Sequence, residues 1–246
     1  MKKYLNRVTI TGASDDTSFS DMVEIQKEYP FVEWGVLLSR SQKGRQNRFP
    51  SQDWLNRLSL FQKENHDFLN LSGHLCGIYV NVFLEEQIKH TLDDQRINEL
   101  DGLLTCQLFK RIQINTHGEK HDVDIKNLFL NVSNNRDVEF IAQIDDINDY
   151  IYKLRDLKVE NISGLYDLSH GAGILPENWK KPLEGIKTGY AGGLSVDNLK
   201  EQLDKLENVV SEPTWIDVET WVRTNDLLDL SRVRQFLEIS KDRVIV

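Results

Sequence analysis

The side chains of this 246-residue chain that could move protons or hold an anion recur in one kind of place, at the ends of short apolar runs. Thr11 closes the first such run, and Arg40, Lys43, Arg45 and Arg48 crowd the polar loop after the second. His74 lies in the third, His117 follows the fourth, and Asp167 and His170 follow the sixth. The glycine pair Gly192-Gly193 follows the seventh, and Asp217, Glu219 and Thr220 end the eighth. A carboxyl placed after Gly-Leu-Tyr, as Asp167 is, should be half buried, and such a group is either paired or tuned for acid–base work. Asp217, in Trp-Ile-Asp, has the same two readings. His74 reads either as a second proton carrier or as a hydrogen-bonded interior histidine, and His117 and His170 either as site groups or as ordinary loop residues. The basic loop is an anion clamp or a solvated surface. Two glycines between a strand and a helix let the backbone approach a ligand, and helix-start N–H groups attract anions. The same pair also serves a tight turn that needs only a positive φ.

These residues need a scaffold that gathers strand ends. Eight runs read as strands: residues 7–11, 31–38, 68–76, 111–115, 139–144, 162–168, 185–193 and 214–218. Helical spacing follows most of them. Phe19, Met22 and Val23 share a face that ends at Pro30, and Trp54, Leu55, Leu58 and Phe61 follow Pro50-Ser51. Asp124 starts a helix carrying Ile125, Leu128, Phe129 and Val132, and Ile147, Tyr150, Ile151 and Leu154 mark the next. Ser195 is the expected N-cap of a helix bearing Val196, Leu199, Leu203 and Leu206. Leu230, Val233, Phe236 and Leu237 form the last apolar face. In residues 78–110 the pattern suggests helices over 79–88 and 93–100. Parallel strands need long crossovers, and eight such units in about 250 residues match a (β/α)8 TIM barrel. One α/β barrel domain over residues 1–246 is therefore expected, with its chemistry at the C-terminal ends of the strands.

Composition narrows the partners. A net charge of −9 disfavours nucleic acid and anionic membranes, and no window approaches the apolar length of a membrane span. Residues 1–6 lack an apolar segment behind their positive start, so no signal peptide is read. Cys76 and Cys106 lack metal or redox spacing and read as two buried thiols in a reducing cytoplasm. With no metal-ligand cluster and no nucleotide fingerprint, the expectation is no cofactor and a small anionic molecule as partner. A homodimer stays open as the assembly.

Taken in order, several short stretches resemble phosphoribosylanthranilate isomerase, of the ribulose-phosphate-binding barrel group. Val8-Thr-Ile-Thr-Gly12 is similar to that family's Val-Lys-Ile-Cys-Gly, and Asn47-Arg-Phe-Pro-Ser51 to its Lys-Arg-Tyr-Ile-Ser. Thr116-His-Gly-Glu119 resembles Leu-His-Gly-Glu, and Leu165-Tyr-Asp167 resembles Leu-Leu-Asp. The stretch from Gly171-Ala-Gly173 to Trp179 is similar to a Gly-Gly-Thr-Gly loop ending in Asp-Trp. Ala191-Gly-Gly-Leu194 with Asp197-Asn198 resembles Gly-Gly-Leu-Asn-Pro-Glu-Asn, and Ile216-Asp-Val218 resembles the start of Val-Asp-Val-Ser-Ser-Gly. The likeness spans most of the chain and is patchy in the third and fourth units. It implies an Amadori rearrangement by acid–base catalysis. Asp167 would be the acid, Arg48 the partner of the substrate carboxylate, and Gly192 and Gly193 half of a phosphate cradle.

Two departures limit that transfer. The family's basic cysteine is Thr11 here, and a threonine hydroxyl is no base near neutral pH without an activating partner. Glu219-Thr220-Trp221 stands where the family has Ser-Ser-Gly, so a bound phosphate would need a compensating cation such as Lys187 or Arg223. The loop after the sixth strand also loses a glycine. Three readings follow. The first is a divergent isomerase-type enzyme on a small carboxylate-bearing substrate, with Asp167 as acid or base, His74 or Asp217 as second proton carrier, and Arg48 as clamp. The second is a binding or scaffold protein that kept the barrel. The third is the family reaction with a substitute base.

Overall fold

A computed structural model of the chain describes residues 2–44, 47–66, 68–85, 102, 108–145, 147–167 and 172–245. Eight parallel strands close a barrel in sequence order. They are β1 (Leu5–Thr11), β2 (Val32–Leu38), β3 (Leu71–Leu75), β4 (Arg111–Ile114), β5 (Glu139–Ile144), β6 (Ile162–Tyr166), β7 (Lys187–Ala191) and β8 (Thr214–Val218). The pairing of β1 with β8, Val8 beside Ile216 and Ile10 beside Val218, completes the ring. The (β/α)8 architecture read from the sequence is the one observed.

Helices α1 (Phe19–Glu28), α2 (Gln52–Glu64), α3 (Ile78–Leu84), α4 (Ile125–Asn134), α5 (Tyr150–Asp156), α6 (Leu199–Glu207) and α7 (Leu230–Ser240) surround it. Their starts follow local chemistry. The Ser51 hydroxyl accepts the Trp54 N–H, and the Asp124 carboxylate accepts those of Lys126 and Asn127. The expected Ser195 cap is displaced. α6 begins after Asn198, while the Ser195 carbonyl accepts from Asn198 and Leu199 in a preceding turn. Between β6 and β7 the described residues form no helix. Of the helices expected over 79–88 and 93–100, the first is the shorter α3, and the second lies outside the described residues. Among the described residues, no helix is long and apolar enough to cross a membrane.

The outward faces of the strands meet the helices in one apolar core, with Trp34, Phe140, Tyr190, Leu58, Val132 and Phe236 all buried. The barrel interior is different. Toward the N-terminal ends of the strands, Arg111 pairs with Glu33 at 2.8 Å and with Glu139 at 3.1 Å, and Arg7 reaches Glu33 at 3.0 Å. Thr9 donates to Glu33 and Ser163 to Glu139, and the Arg111 guanidinium lies 4.3 Å from the centre of the Trp215 ring. Burial alone would push the Glu33 and Glu139 carboxyls up. The adjacent arginines, chiefly Arg111, outweigh it and hold both below the usual range. This plug of paired charges is the floor on which the site stands.

Candidate active site at the C-terminal mouth

Above that floor a cavity of about 600 Å³, counted to its open mouth, is lined by the last inward side chain of nearly every strand. Thr11, His74, His117, Asp167, Gly192, Gly193, Asp217, Glu219 and Thr220 all border it. These nine residues, singled out in the sequence, therefore meet in one place. Arg48 is not a lining residue and reaches the cavity through Glu219. His170, Gly171 and Arg45 lie outside the described residues.

Asp217 is the most buried of the carboxyls that line the cavity, 7% exposed, and accepts the Thr11 hydroxyl at 2.7 Å. Burial pushes its pKa up to about 8, with Glu219 and Asp167 adding to the rise and the Thr11 hydrogen bond opposing it. The Thr11 hydroxyl is thus engaged as a hydrogen-bond donor to a buried carboxyl. His74 is buried on the neighbouring side, and its Nε2 has no hydrogen-bond partner. Burial depresses its pKa to about 4; Glu33 opposes this and Arg111 assists it, so the imidazole is neutral at pH 7. Gly35 makes room for both groups, since a Cβ there would overlap the Thr11 hydroxyl and press on His74.

The β6 and β7 loops define the far wall. Gly192 and Gly193 both have positive φ, 106° and 65°. A Cβ on Gly193 would run into the Ile174–Leu175 backbone, so the glycine admits the chain's own β6 loop. Asn198 accepts the Ser195 N–H and donates to the Gly193 carbonyl, engaging one backbone donor of the turn. His117, at φ 50°, gives its N–H to the Gln143 side chain. Gln143 also donates to the Asp167 carbonyl, tying the β4, β5 and β6 ends together. Gln113, Asn115 and Gln143 complete the polar lining.

After β8 the chain makes a short 3-10 turn, Thr220–Val222, and a hairpin of β9 (Arg223–Thr224) and β10 (Leu227–Leu228). Glu219 pairs with Arg48 Nη1 at 3.0 Å, and Arg48 Nη2 meets Asp226 at 2.9 Å. Burial raises the Glu219 carboxyl, against the pull of Arg48 and Arg223. Arg223, 4% exposed in its side chain, donates to the carbonyls of Gly12, Asn47 and Asp226. Trp221, 45% exposed, gives its indole N–H to the Gly173 carbonyl at 2.9 Å. Lys187, the other cation considered for a phosphate, opens β7 at the opposite end of that strand and cannot serve the mouth.

No family model and no curated protein sequence matches the chain. Solved structures do. A phosphoribosyl anthranilate isomerase from Thermus thermophilus superposes with a TM-score of 0.57 at 14% identity, covering 96% of this chain and 98% of that one. N-(5'-phosphoribosyl)anthranilate isomerase from Pyrococcus furiosus gives 0.54 at 14%, covering 96% and 98%. KGPDC from Streptococcus mutans gives 0.51 at 12%, covering 98% and 99%. The likeness is one of fold. It agrees with the barrel group that the sequence resembles and leaves the chemistry to the residues themselves.

Two features of the site escaped the sequence. Glu33 sits inside an apolar-looking strand while Arg111 and Glu139 open two others, and only their shared inward face would have exposed their pairing. The Arg48–Glu219 contact spans 171 residues and has no local signal. Burial pushes the Cys76 thiol up to about 12, which keeps it protonated near neutral pH; Cys106 lies outside the described residues.

Proposed function

We propose that the chain is an isomerase-type acid–base enzyme acting on a small, carboxylate-bearing substrate. One observation carries this reading: Asp217, an acid kept protonated near neutral pH, faces the same cavity as a second carboxyl, Asp167, and the neutral imidazole of His74. A general acid is most effective when its pKa lies near the working pH, and Asp217 meets that condition. Asp217 donates a proton to a carbonyl or imine of the substrate, and Asp167 or His74 removes one from the adjacent carbon. Thr11 holds Asp217 in place. Arg48 meets the substrate carboxylate at the mouth, and Gly192, Gly193, Thr220 and His117 shape the wall against which the substrate lies.

The fold likeness to sugar-phosphate isomerases supports a search among aminoaldose and ketose substrates, with and without phosphate. The test is turnover on such a panel by wild type, D217N and D167N. Loss of at least about a hundredfold in D217N, with folding intact, is the expected result. Unchanged turnover in both variants would refute the roles given to the carboxyls. A wild type inactive on the whole panel would favour the binding-protein reading, which the Glu219–Arg48 pair across the mouth supports.

A further inference from the structure

At the mouth of the cavity, one carboxylate sits where a ligand's carboxylate would. Arg48 presents one edge of its guanidinium to Glu219 at 3.0 Å and is held from outside by Asp226 at 2.9 Å. The Glu219 side chain, 22% exposed, lines the cavity, whereas Arg48 does not. Glu219 thus lies between the arginine and the cavity's interior. Gly12 makes this packing feasible. A Cβ there would overlap the Arg223 guanidinium and touch the Glu219 side chain.

The frame around Glu219 has partners of its own. Arg223 donates to Gly12, Asn47 and Asp226 carbonyls, clasping the loops after β1 and β2 to the β9–β10 hairpin. Arg48 has a second carboxylate partner in Asp226, at 2.9 Å, that is independent of Glu219. A cation oriented by other partners, facing an exchangeable carboxylate, is a preorganised anion site with an occupant.

We infer that Glu219 is an internal ligand: its carboxylate fills an anion site built by Arg48 and framed by Arg223, and a substrate carboxylate binds by displacing it. One singly charged group replaces another, so the site favours a carboxylate over a doubly charged phosphate. The idea extends the proposed role of Arg48. Its test uses inert anions and binding alone, so it stands or falls independently of turnover.

The experiment is a thermal-shift and calorimetric titration of wild type, E219A and the double variant E219A/R48M with acetate, propionate and inorganic phosphate. Acetate and propionate are close in size to the carboxylate and stem removed in E219A. E219A is expected to bind them about tenfold or more tightly than wild type does, with phosphate gaining less. The gain should vanish in E219A/R48M. E219Q, which keeps the side chain's shape, covers the case in which E219A does not fold; without a charge to hold Arg48, it should show a smaller gain of the same sign. Affinities unchanged from wild type in E219A and E219Q, or a gain that survives loss of Arg48, would overturn the inference.

Discussion

Asp217 and His74 are buried to similar depth, and burial acts on them in opposite directions. The acid is driven to keep its proton and the base to lose it, which leaves both neutral at pH 7. The consequences for stability have opposite signs. Asp217 has a folded-state pKa of about 8 against a model value of 3.8, so its contribution is fully present below about 4 and is lost as pH rises through 8. For His74, about 4 folded against 6.5, the neutral form is favoured in the fold, so stability falls as pH drops from about 6.5 to 4. The two slopes oppose one another between roughly 4 and 6.5, and only the Asp217 slope persists above that window. In D217N, where the amide oxygen still accepts from Thr11, melting temperature should stop declining between about pH 6.5 and 8. H74Q, freed of the opposing slope, should instead gain in melting temperature as pH falls from about 6.5 to 4. Melting curves of the three proteins from pH 4 to 9 check both, and an unaltered profile in D217N would contradict the assignment.

The strands carry the second group of expectations. Arg111, the first residue of β4, lies between Glu33 and Glu139, and removing it leaves Glu139 without its cation and the buried Glu33 with Arg7 alone. R111M should cost about 3–5 kcal/mol in urea denaturation, whereas exposed pairs such as Arg57–Asp53 should cost well under 1 kcal/mol. Gly189 on β7 faces the Trp215 ring, which would overlap any Cβ there. G189A should destabilise by roughly 1–3 kcal/mol through overpacking, measured the same way. These elements also show what could be read in advance. β5 and β8 were expected at their observed limits because Glu139 and Thr214 mark abrupt polar-to-apolar changes. β3 came out shorter than its apolar run, since residues 69 and 70 are spent on hydrogen bonds to Gln62, Gln26 and the Pro30 and Val32 carbonyls before the strand begins. The Ser195 cap was misplaced because Asn198, three residues on, captures the Ser195 N–H and delays the helix.

Barrel closure explains why so much of the site was legible before any coordinates. Once the strand ends share one face, residue type at each end is enough to assemble Thr11, His74, Asp167 and Asp217 around a cavity. What sequence could not supply was pairing across the barrel. The Thr11–Asp217 hydrogen bond joins residues 206 apart, and Arg48–Glu219 joins residues 171 apart. Both depend on β8 returning beside β1. In the proposed function those two contacts matter most, the first holding the acid and the second setting what the mouth admits. The low identity to structures of the same shape fits this division, since what is shared with them is the fold.

The protonation of Asp217 is the claim on which the proposed chemistry rests, and carboxyl carbon NMR measures it directly. Wild type and D217N, labelled at the aspartate carboxyl carbons, would be titrated from pH 3 to 10. The expected result is one resonance with a midpoint near 8, present in wild type and missing from D217N. If every aspartate in the folded protein titrates in the ordinary carboxylate range, Asp217 is ionised at neutral pH, and the acid assigned to this cavity is not there.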